Sequence, residues 1–305
     1  MILLRPVVQL RDRSTKMRTA ETSAGTPRWA LAMSSLVSVA ALAACGSVSS
    51  SPSTPAATSA ANSSAPISVT GPLTSAQLAV KLEVGARSVS SAHITLSSTV
   101  GDQRVLVAHG DETLAAGKLT ALNLNEQVGA LNMTLLLVDG GVYVKLPSNL
   151  NTSGRPWEKA TAGSRNPVLR QLASSIASVE QSASLTQYES LAQAATSLKT
   201  IGTEQVNGTA ATHYSLIVDV TKIRGAGVTQ AGKAALAQAG ITKIPEDLWV
   251  DEKGHPVKVW ERFTIRGQVV STVFTIGQLN QPVTISAPPA SQVSISPPAS
   301  QLLPS

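Results

Sequence analysis

Cys45 is the only cysteine in this 305-residue chain, so no disulfide can form within it. The fold must therefore rest on an apolar core. Aromatic residues are scarce too. Four Trp, three Tyr and two Phe make up 3% of the chain, so any interior is walled by Leu, Val, Ile and Ala. Charge is absent from two long stretches, between Arg28 and Lys81 and after Arg266. Catalytic signatures are missing as well: the chain has no G-x-S-x-G elbow, P-loop, H-E-x-x-H or C-x-x-C. Gly225-Ala226-Gly227 is followed by Gln230 where a dinucleotide fingerprint needs glycine. His93, His109, His213 and His255 do not stand at helical ligand spacing from one another. The residues thus point to no enzyme, no cofactor and no metal.

What is present begins at Leu42-Ala43-Ala44-Cys45-Gly46. Upstream, Arg18 and Arg28 precede an uncharged run from Trp29 to Ala44, shorter than the roughly 20 residues a spanning helix needs. Basic, then apolar, then small is the order of a secretory leader. The leucine and small residues before the cysteine make it a lipobox. Residues 1–44 are read as a lipoprotein signal peptide, and Met17 would start a leader of ordinary length. Cys45 is then the S-diacylglycerol and N-acylated (palmitate-type) residue. Two or three acyl chains hold a protein on a membrane where one does not. The expected location is the cell membrane, on its outer face, through this anchor.

Removing the leader changes the charge argument. Six of the 24 basic and two of the 18 acidic residues lie in 1–44, leaving 18 and 16, a net of +2. Nucleic acid is excluded as a partner, because binding it needs clustered positive charge. Gly46 to Pro66 is almost wholly Ser, Thr, Ala and Pro, and 45–71 reads as the lipidated cysteine and a flexible tether. At the other end, Pro288-Pro289-Ala290-Ser291-Gln292 recurs as Pro297-Pro298-Ala299-Ser300-Gln301, and 287–305 reads as a disordered tail. The folded domain is 72–286.

That domain opens with a helix: Thr74 and Gln77 have capping-box spacing, and Leu78, Leu82, Ala86 and Val89 follow at helical intervals. Strands follow around Ile94–Leu96, Val105–Val107, Leu122–Leu124, Leu131–Val138 and Val142–Leu146, with hairpin turns at Gly101-Asp102 and Asp139-Gly140. Asn166-Pro167 starts a helix bearing Leu169, Leu172, Ile176 and Val179, and Leu185, Tyr188, Leu191, Ala195 and Leu198 predict a second. Asn207-Gly208, a helix over 229–239 stopped by Gly240, and strands around Leu248–Val250, Val257–Ile265, Val269–Ile276 and Val283–Ile285 complete the pattern. The sum is an α+β domain, an antiparallel sheet with helices over one face. Glu246, Asp247, Asp251 and Glu252 read as edge and turn charges of a hairpin. Leu135-Leu136-Leu137-Val138 is apolar on both strand faces, so the sheet packs a partner or encloses something.

Several segments together carry a resemblance. The lipobox, the tether, Ser90-Ser91-Ala92-His93-Ile94, Leu137-Val138-Asp139-Gly140-Gly141-Val142-Tyr143, Val206-Asn207-Gly208 through His213-Tyr214, and Leu248-Trp249-Val250-Asp251 resemble the mycobacterial LppX/LprA/LprF/LprG lipoprotein family. The likeness covers roughly 72–286 and contains no catalytic signature. It implies a LolA/LolB-like half-barrel: a curved antiparallel sheet, helices over its concave face, and a hydrophobic cavity between them. It further implies a non-enzymatic carrier of acylated lipids or lipoglycans across the cell envelope, and a membrane lipid transporter as partner. Strand alternation nominates Ile94, Leu96, Leu124, Leu135, Leu137, Val144, Leu216 and Val218 as cavity lining. Leu172, Ile176 and Leu191 are the helical contributions. The alternative is an envelope scaffold or chaperone-type module that holds no lipid.

Overall fold

The structure is a computed structural model describing residues 73–295, apart from 150, 152–153, 165, 225–229 and 266. Helix α1 (Ser75–Arg87) starts at the capping box: Thr74 Oγ1 accepts from the Gln77 amide, and the Gln77 side chain accepts from the Thr74 amide. A meander follows: β1 (Ser91–Val100), β2 (Gln103–Ala115), β3 (Lys118–Val128), β4 (Leu131–Val138), β5 (Gly141–Lys145) and β6 (Trp157–Ala160). Then come α2 (Pro167–Ser182) and α3 (Gln187–Ala194), and a second meander: β7 (Ala195–Val206), β8 (Thr209–Asp219), β9 (Lys243–Asp251), β10 (Pro256–Ile265) and β11 (Gln268–Gly277). Helix α4 (Gln230–Gln238) lies between β8 and β9, and β12 (Val293–Ser294) ends the described chain.

All twelve strands form one sheet in the order β12-β6-β5-β4-β3-β2-β1-β11-β10-β9-β8-β7. Every pairing is antiparallel except β12 with β6. The two meanders join along β1 and β11, in register from His93 opposite Gly277 to Val100 opposite Val270. This topology explains the helical layer. The chain leaves the first meander at β6 and re-enters the sheet at its far edge, β7, so α2 and α3 must cross the sheet between them. α2 packs on β3, β5 and β6; α3 packs on α1 and β8; α1 reaches β7 and β10. The α+β architecture, a curved antiparallel sheet with helices over one face, is that expected from the sequence.

Turns fall where the sequence places them. Asp139-Gly140 and Asn207-Gly208 hold both residues at positive φ, as a two-residue hairpin turn requires. Three expectations need correction. The helix of Leu185–Leu198 stops at Ala194, and Leu198 belongs to β7. Thr196, Thr200, Ile201 and Thr203 are β-branched, stiff at χ1 and better suited to a strand than to a fourth helical turn. A disordered tail from 287 is also corrected over its first part. Residues 290–292 make a short 3-10 turn, and Val293–Ser294 pair with Trp157–Glu158. Arg155 Nη1 donates to the Val293 carbonyl at 2.5 Å. Finally, Val283–Ile285 forms no strand: it lies in the segment between β11 and β12, outside the sheet pairing. The four residues of β6 are too few to give a periodic signal.

The strap from β11 back to β12 also accounts for the doubly apolar run in β4. Leu135 and Leu137 face the helices, whereas Leu136 and Val138 face the opposite side. There they are buried with Ala121 against Tyr143, Trp157 and Ile285 of the strap. The partner that this face calls for is the chain's own C-terminal segment.

Candidate functional site

All eleven residues nominated as cavity lining lie in one apolar cluster between sheet and helices. Ile94, Leu124, Leu135, Leu137, Val144, Leu191, Leu216 and Val218 are buried, and Leu96, Leu172 and Ile176 are half-buried. Cross-strand register explains the grouping. Leu96 pairs with Phe274, Leu124 with Leu135, Leu135 with Val144, and Leu216 with Leu198, so the same parity points inward on each strand. Cys45 lies outside the described residues.

The same inward parity carries carboxylates. Glu112 stands in frame with Ala108 and Leu114, Glu126 with Leu122 and Leu124, and Glu158 with Ala160. Glu246 stands in frame with Ile244 and Leu248, and Glu261 with Val259 and Phe263. Glu246 and Glu261 are directly opposed across β9 and β10. Beyond Glu261 the row continues to Thr272 and Ser98, whose hydroxyls bond at 2.7 Å. Glu246 is therefore no edge or turn charge: it sits on an interior strand with 3% of its surface exposed. Glu112 is fully buried and neither carboxyl oxygen has a hydrogen-bond partner; Glu158 and Glu246 each leave Oε1 unpartnered.

Burial dominates the titration of this face. Loss of hydration pushes Glu112 up to about 8 and Glu126 up to about 7. It raises Glu158 and Glu261, and holds Glu246 well above the usual carboxylate range with the Glu261 and Asp247 charges adding to it. Tyr188 of α3 is buried over this region. Its phenol is pushed far up by burial first, then by Glu246, Glu261 and Glu112. One phenol from the helical layer thus lies within electrostatic reach of carboxyls from β2, β9 and β10. Burial thus favours the neutral acid at each of these positions, most plainly at Glu112, and places carboxyl groups on an otherwise aliphatic face.

Three histidines prove to be partnered. His93 Nδ1 lies 2.8 Å from Asp111. His213 sits between Glu204 (2.9 Å) and Asp247 (3.1 Å) and stacks on Trp249 at 4.1 Å. Lys258 Nζ lies over the Trp249 ring, 4.0 Å from its centroid, and Trp249 Nε1 donates to Glu204. Glu204 is held below its usual value by the Trp249 and His213 hydrogen bonds. This group ties β7, β8, β9 and β10 together on the side away from the helices.

His255 is the third. Its Nδ1 lies 2.7 Å from Asp251 and its Nε2 2.8 Å from Ser88 Oγ, the order of an acyl-transfer relay. The surroundings argue against that chemistry. Ser88 caps the C-terminal end of α1, where the dipole is negative and carbonyls converge. Its hydroxyl also reaches the Gly85 carbonyl at 2.8 Å. The nearest amides are engaged, Ser88 N–H with Gly85 and Ala86 and Val89 N–H with Ala86, so they do not form an oxyanion hole. The contact is a clasp between α1 and the β9–β10 turn.

Two clefts of about 650 and 400 Å³ lie elsewhere. The larger is lined by 240–243, Pro245, Asp247, Trp260, Arg262 and neighbours at one end of β9 and β10. The smaller runs between the strap and β3–β5. Among the described residues no helix is long and apolar enough to cross a membrane, and no cluster of three or more His, Cys, Asp or Glu is placed to hold a metal ion.

No family model matches the chain. An uncharacterized 31.2 kDa protein from the rplA-rplJ intergenic region of Streptomyces griseus is 39% identical over 84 residues. That match spans 25% of this chain and only 28% of the relative. Among solved structures, the chain is similar to LprF of Mycobacterium bovis, with a TM-score of 0.46 and 16% identity over 70% of this chain and 96% of that one. It is also similar to the lipoprotein LppX of Mycobacterium tuberculosis, with a TM-score of 0.45 and 15% identity over 68% and 98% of the two chains.

Proposed function

We propose that this protein is a non-enzymatic, membrane-anchored carrier of acylated envelope lipids, tethered through Cys45 and receiving acyl chains between its helices and sheet. The observation that supports this reading most is the inward face itself. Eight aliphatic residues nominated from strand alternation and three from the helices fall in one cluster between sheet and helices, and Leu96, Leu172 and Ile176 keep part of their surface accessible. Transfer of an acyl chain into such a lining gains about 0.8 kcal/mol per buried methylene. Accommodation would come from parting α2 and α3 from the sheet, since Leu172, Ile176 and Val179 are only half-buried.

The test is lipid extraction from the native lipoprotein purified from an actinobacterial host. Organic solvent removes non-covalent lipid and leaves the thioether-linked anchor on the protein, so mass spectrometry of the extract reads the cargo alone. Stoichiometric lipid supports the carrier. An extract without lipid, from protein whose interior stays closed, supports the scaffold alternative instead. A Cys45→Ser chain that partitions with membranes as the wild type does would sink the anchor.

A further inference from the structure

We propose that the split between β9 and β10 is a doorway that seats an amphiphile with an anionic head group, held by Lys243 and Arg262 while its alkyl chain runs inward past Phe263 and Ile241. This rests on the carrier reading and names where its cargo enters and what head group it bears. The split follows from strand register. The β9–β10 ladder runs from Val250 opposite Pro256 to Glu246 opposite Glu261 and stops there. Beyond that pair β9 stays with β8, Lys243 opposite Asp219, and β10 stays with β11, Ile265 opposite Gln268. Pro245 stands at the first position past the last pair, and proline, having no N–H, cannot donate to a ladder. The two halves of the sheet therefore part at this end, and the cleft of about 650 Å³ is lined from both strands.

The lining sorts into an apolar floor and a charged rim. Phe263 and Ile241 line the cleft and also belong to the apolar cluster between sheet and helices, so the opening reaches the interior. Lys243 on β9, and Trp260 and Arg262 on β10, hold the opposite parity and line the cleft from the side away from the helices. Both cations are exposed, and neither joins an ion pair among the described residues. Two carboxylates at this end of the sheet are already engaged. Asp247, in the lining, lies 3.1 Å from His213 Nε2. Asp219, opposite Lys243, accepts from the Thr221 amide at 3.0 Å and from its hydroxyl at 2.6 Å. The chemistry selects the ligand. A guanidinium fork and an ammonium supply charge and N–H donors to a phosphate or carboxylate, and they repel a cationic head group. Trp260 spends its indole N–H on Ser271 Oγ at 2.8 Å, which leaves its apolar body for the first methylenes. A wholly apolar ligand would leave the rim unused, and a free inorganic anion would leave the floor unused.

The experiment uses the full mature chain, residues 45–305, with Cys45→Ser so that no acyl anchor competes. Binding of dodecyl phosphate, dodecanol and inorganic phosphate is measured by calorimetry at pH 7.5, below the micelle-forming concentrations of the alkyl probes. Dodecyl phosphate should bind about tenfold tighter than dodecanol, and inorganic phosphate about a hundredfold weaker than dodecyl phosphate. The Lys243→Gln/Arg262→Gln pair should bring dodecyl phosphate within about twofold of dodecanol. Lys118→Gln/Lys199→Gln removes the same charge from β3 and β7 and should keep the full preference. These positions are all exposed, so retained circular dichroism certifies each fold. A dodecyl phosphate bearing a diazirine at its alkyl end should label the interior cluster around Phe263. Equal affinity of dodecyl phosphate and dodecanol in the wild type overturns the proposal and leaves the carrier standing. So does a preference that survives Lys243→Gln/Arg262→Gln or is lost in the control pair, and so does labelling confined to the outer face around Trp260. Inorganic phosphate that binds as tightly as dodecyl phosphate overturns it as well, leaving a site for free anions. Binding of neither alkyl probe overturns both readings.

Discussion

Gly85 of α1 and Gly254 of the β9–β10 turn are in direct backbone contact. A Cβ on Gly85 would sit 2.2 Å from the Gly254 carbonyl carbon, and one on Gly254 would sit 2.3 Å from the Lys81 carbonyl oxygen. Neither obstacle is a side chain that can swing away. Gly85→Ala should therefore cost about 1–3 kcal/mol, the usual penalty of overpacking. Gly254→Ala should cost more, because Gly254 also holds φ at +91°. Urea denaturation of the two variants reads both values. Wild-type midpoints would show that α1 does not dock on this turn.

His255 makes the adjoining prediction, which separates a clasp from a nucleophile. Asp251 and His255 are both buried, and Asp251 also accepts the His255 amide at 2.8 Å. His255→Ala strands a buried carboxylate and should lose about 3 kcal/mol or more of stability. Ser88→Ala removes the hydroxyl's bonds to His255 and to the Gly85 carbonyl at an exposed helix end and should cost about 1–2 kcal/mol. Ser88 should also stay unlabelled by a fluorophosphonate probe. Covalent labelling at Ser88, abolished by His255→Ala, would reverse the assignment.

Stability should fall as pH rises through neutrality. Glu112 has a folded value near 8 against about 4.5 when solvated, so between these limits the folded state binds the extra proton. Linkage then gives a slope of about −1.4 kcal/mol per pH unit from this group, flattening above pH 8, where its full cost is reached. Glu126, raised to about 7, and the Glu246–Glu261 pair act in the same direction. Thermal melts from pH 5 to 9 should show a falling midpoint, and Glu112→Gln should make the fall shallower. An unchanged slope in that variant would place the Glu112 carboxyl in water.

Much of this architecture was legible from alternation, because side chains two apart on a strand share a face. Ile94 with Leu96, Leu135 with Leu137, and Leu216 with Val218 were assigned inward, and the structure puts each pair in the same cluster. The same rule contains the carboxylates. Glu246 stands between Ile244 and Leu248 at the inward parity, as Glu261 does between Val259 and Phe263. Glu246 stands beside Asp247, Asp251 and Glu252, a grouping that reads as a charged hairpin end, while Glu261 carries no signal besides its parity. What no periodicity encodes is closure over distance. The order of strands that sends α2 and α3 across the sheet, and the pairing of Val293 with Trp157 some 136 positions earlier, arise from tertiary packing. The Ser88–His255 contact is of the same kind, joining residues 167 positions apart.

The C-terminal strap yields the last prediction. Leu136 and Val138 are 4% and 5% exposed on the face away from the helices, and Ile285 is the strap residue packed against their cluster. Without the strap, this face would present two aliphatic side chains flanked by Tyr143 and Trp157, an apolar patch of the kind that drives association. Its hold is modest, since β12 contributes two paired residues and the Arg155 bond to Val293. Ile285→Ser should therefore cost only about 1–2 kcal/mol, the value of one half-buried aliphatic side chain. Ending the chain after Gly277 should do something different in kind: the sheet keeps its helical core but gains a sticky outer face. Increased binding of a hydrophobic dye and a concentration-dependent rise in apparent mass are expected, with far-ultraviolet circular dichroism retained. A truncated chain that stays monomeric and dye-silent would mean that Tyr143 and Trp157 alone cover Leu136 and Val138. The strap would then be a passenger on the sheet.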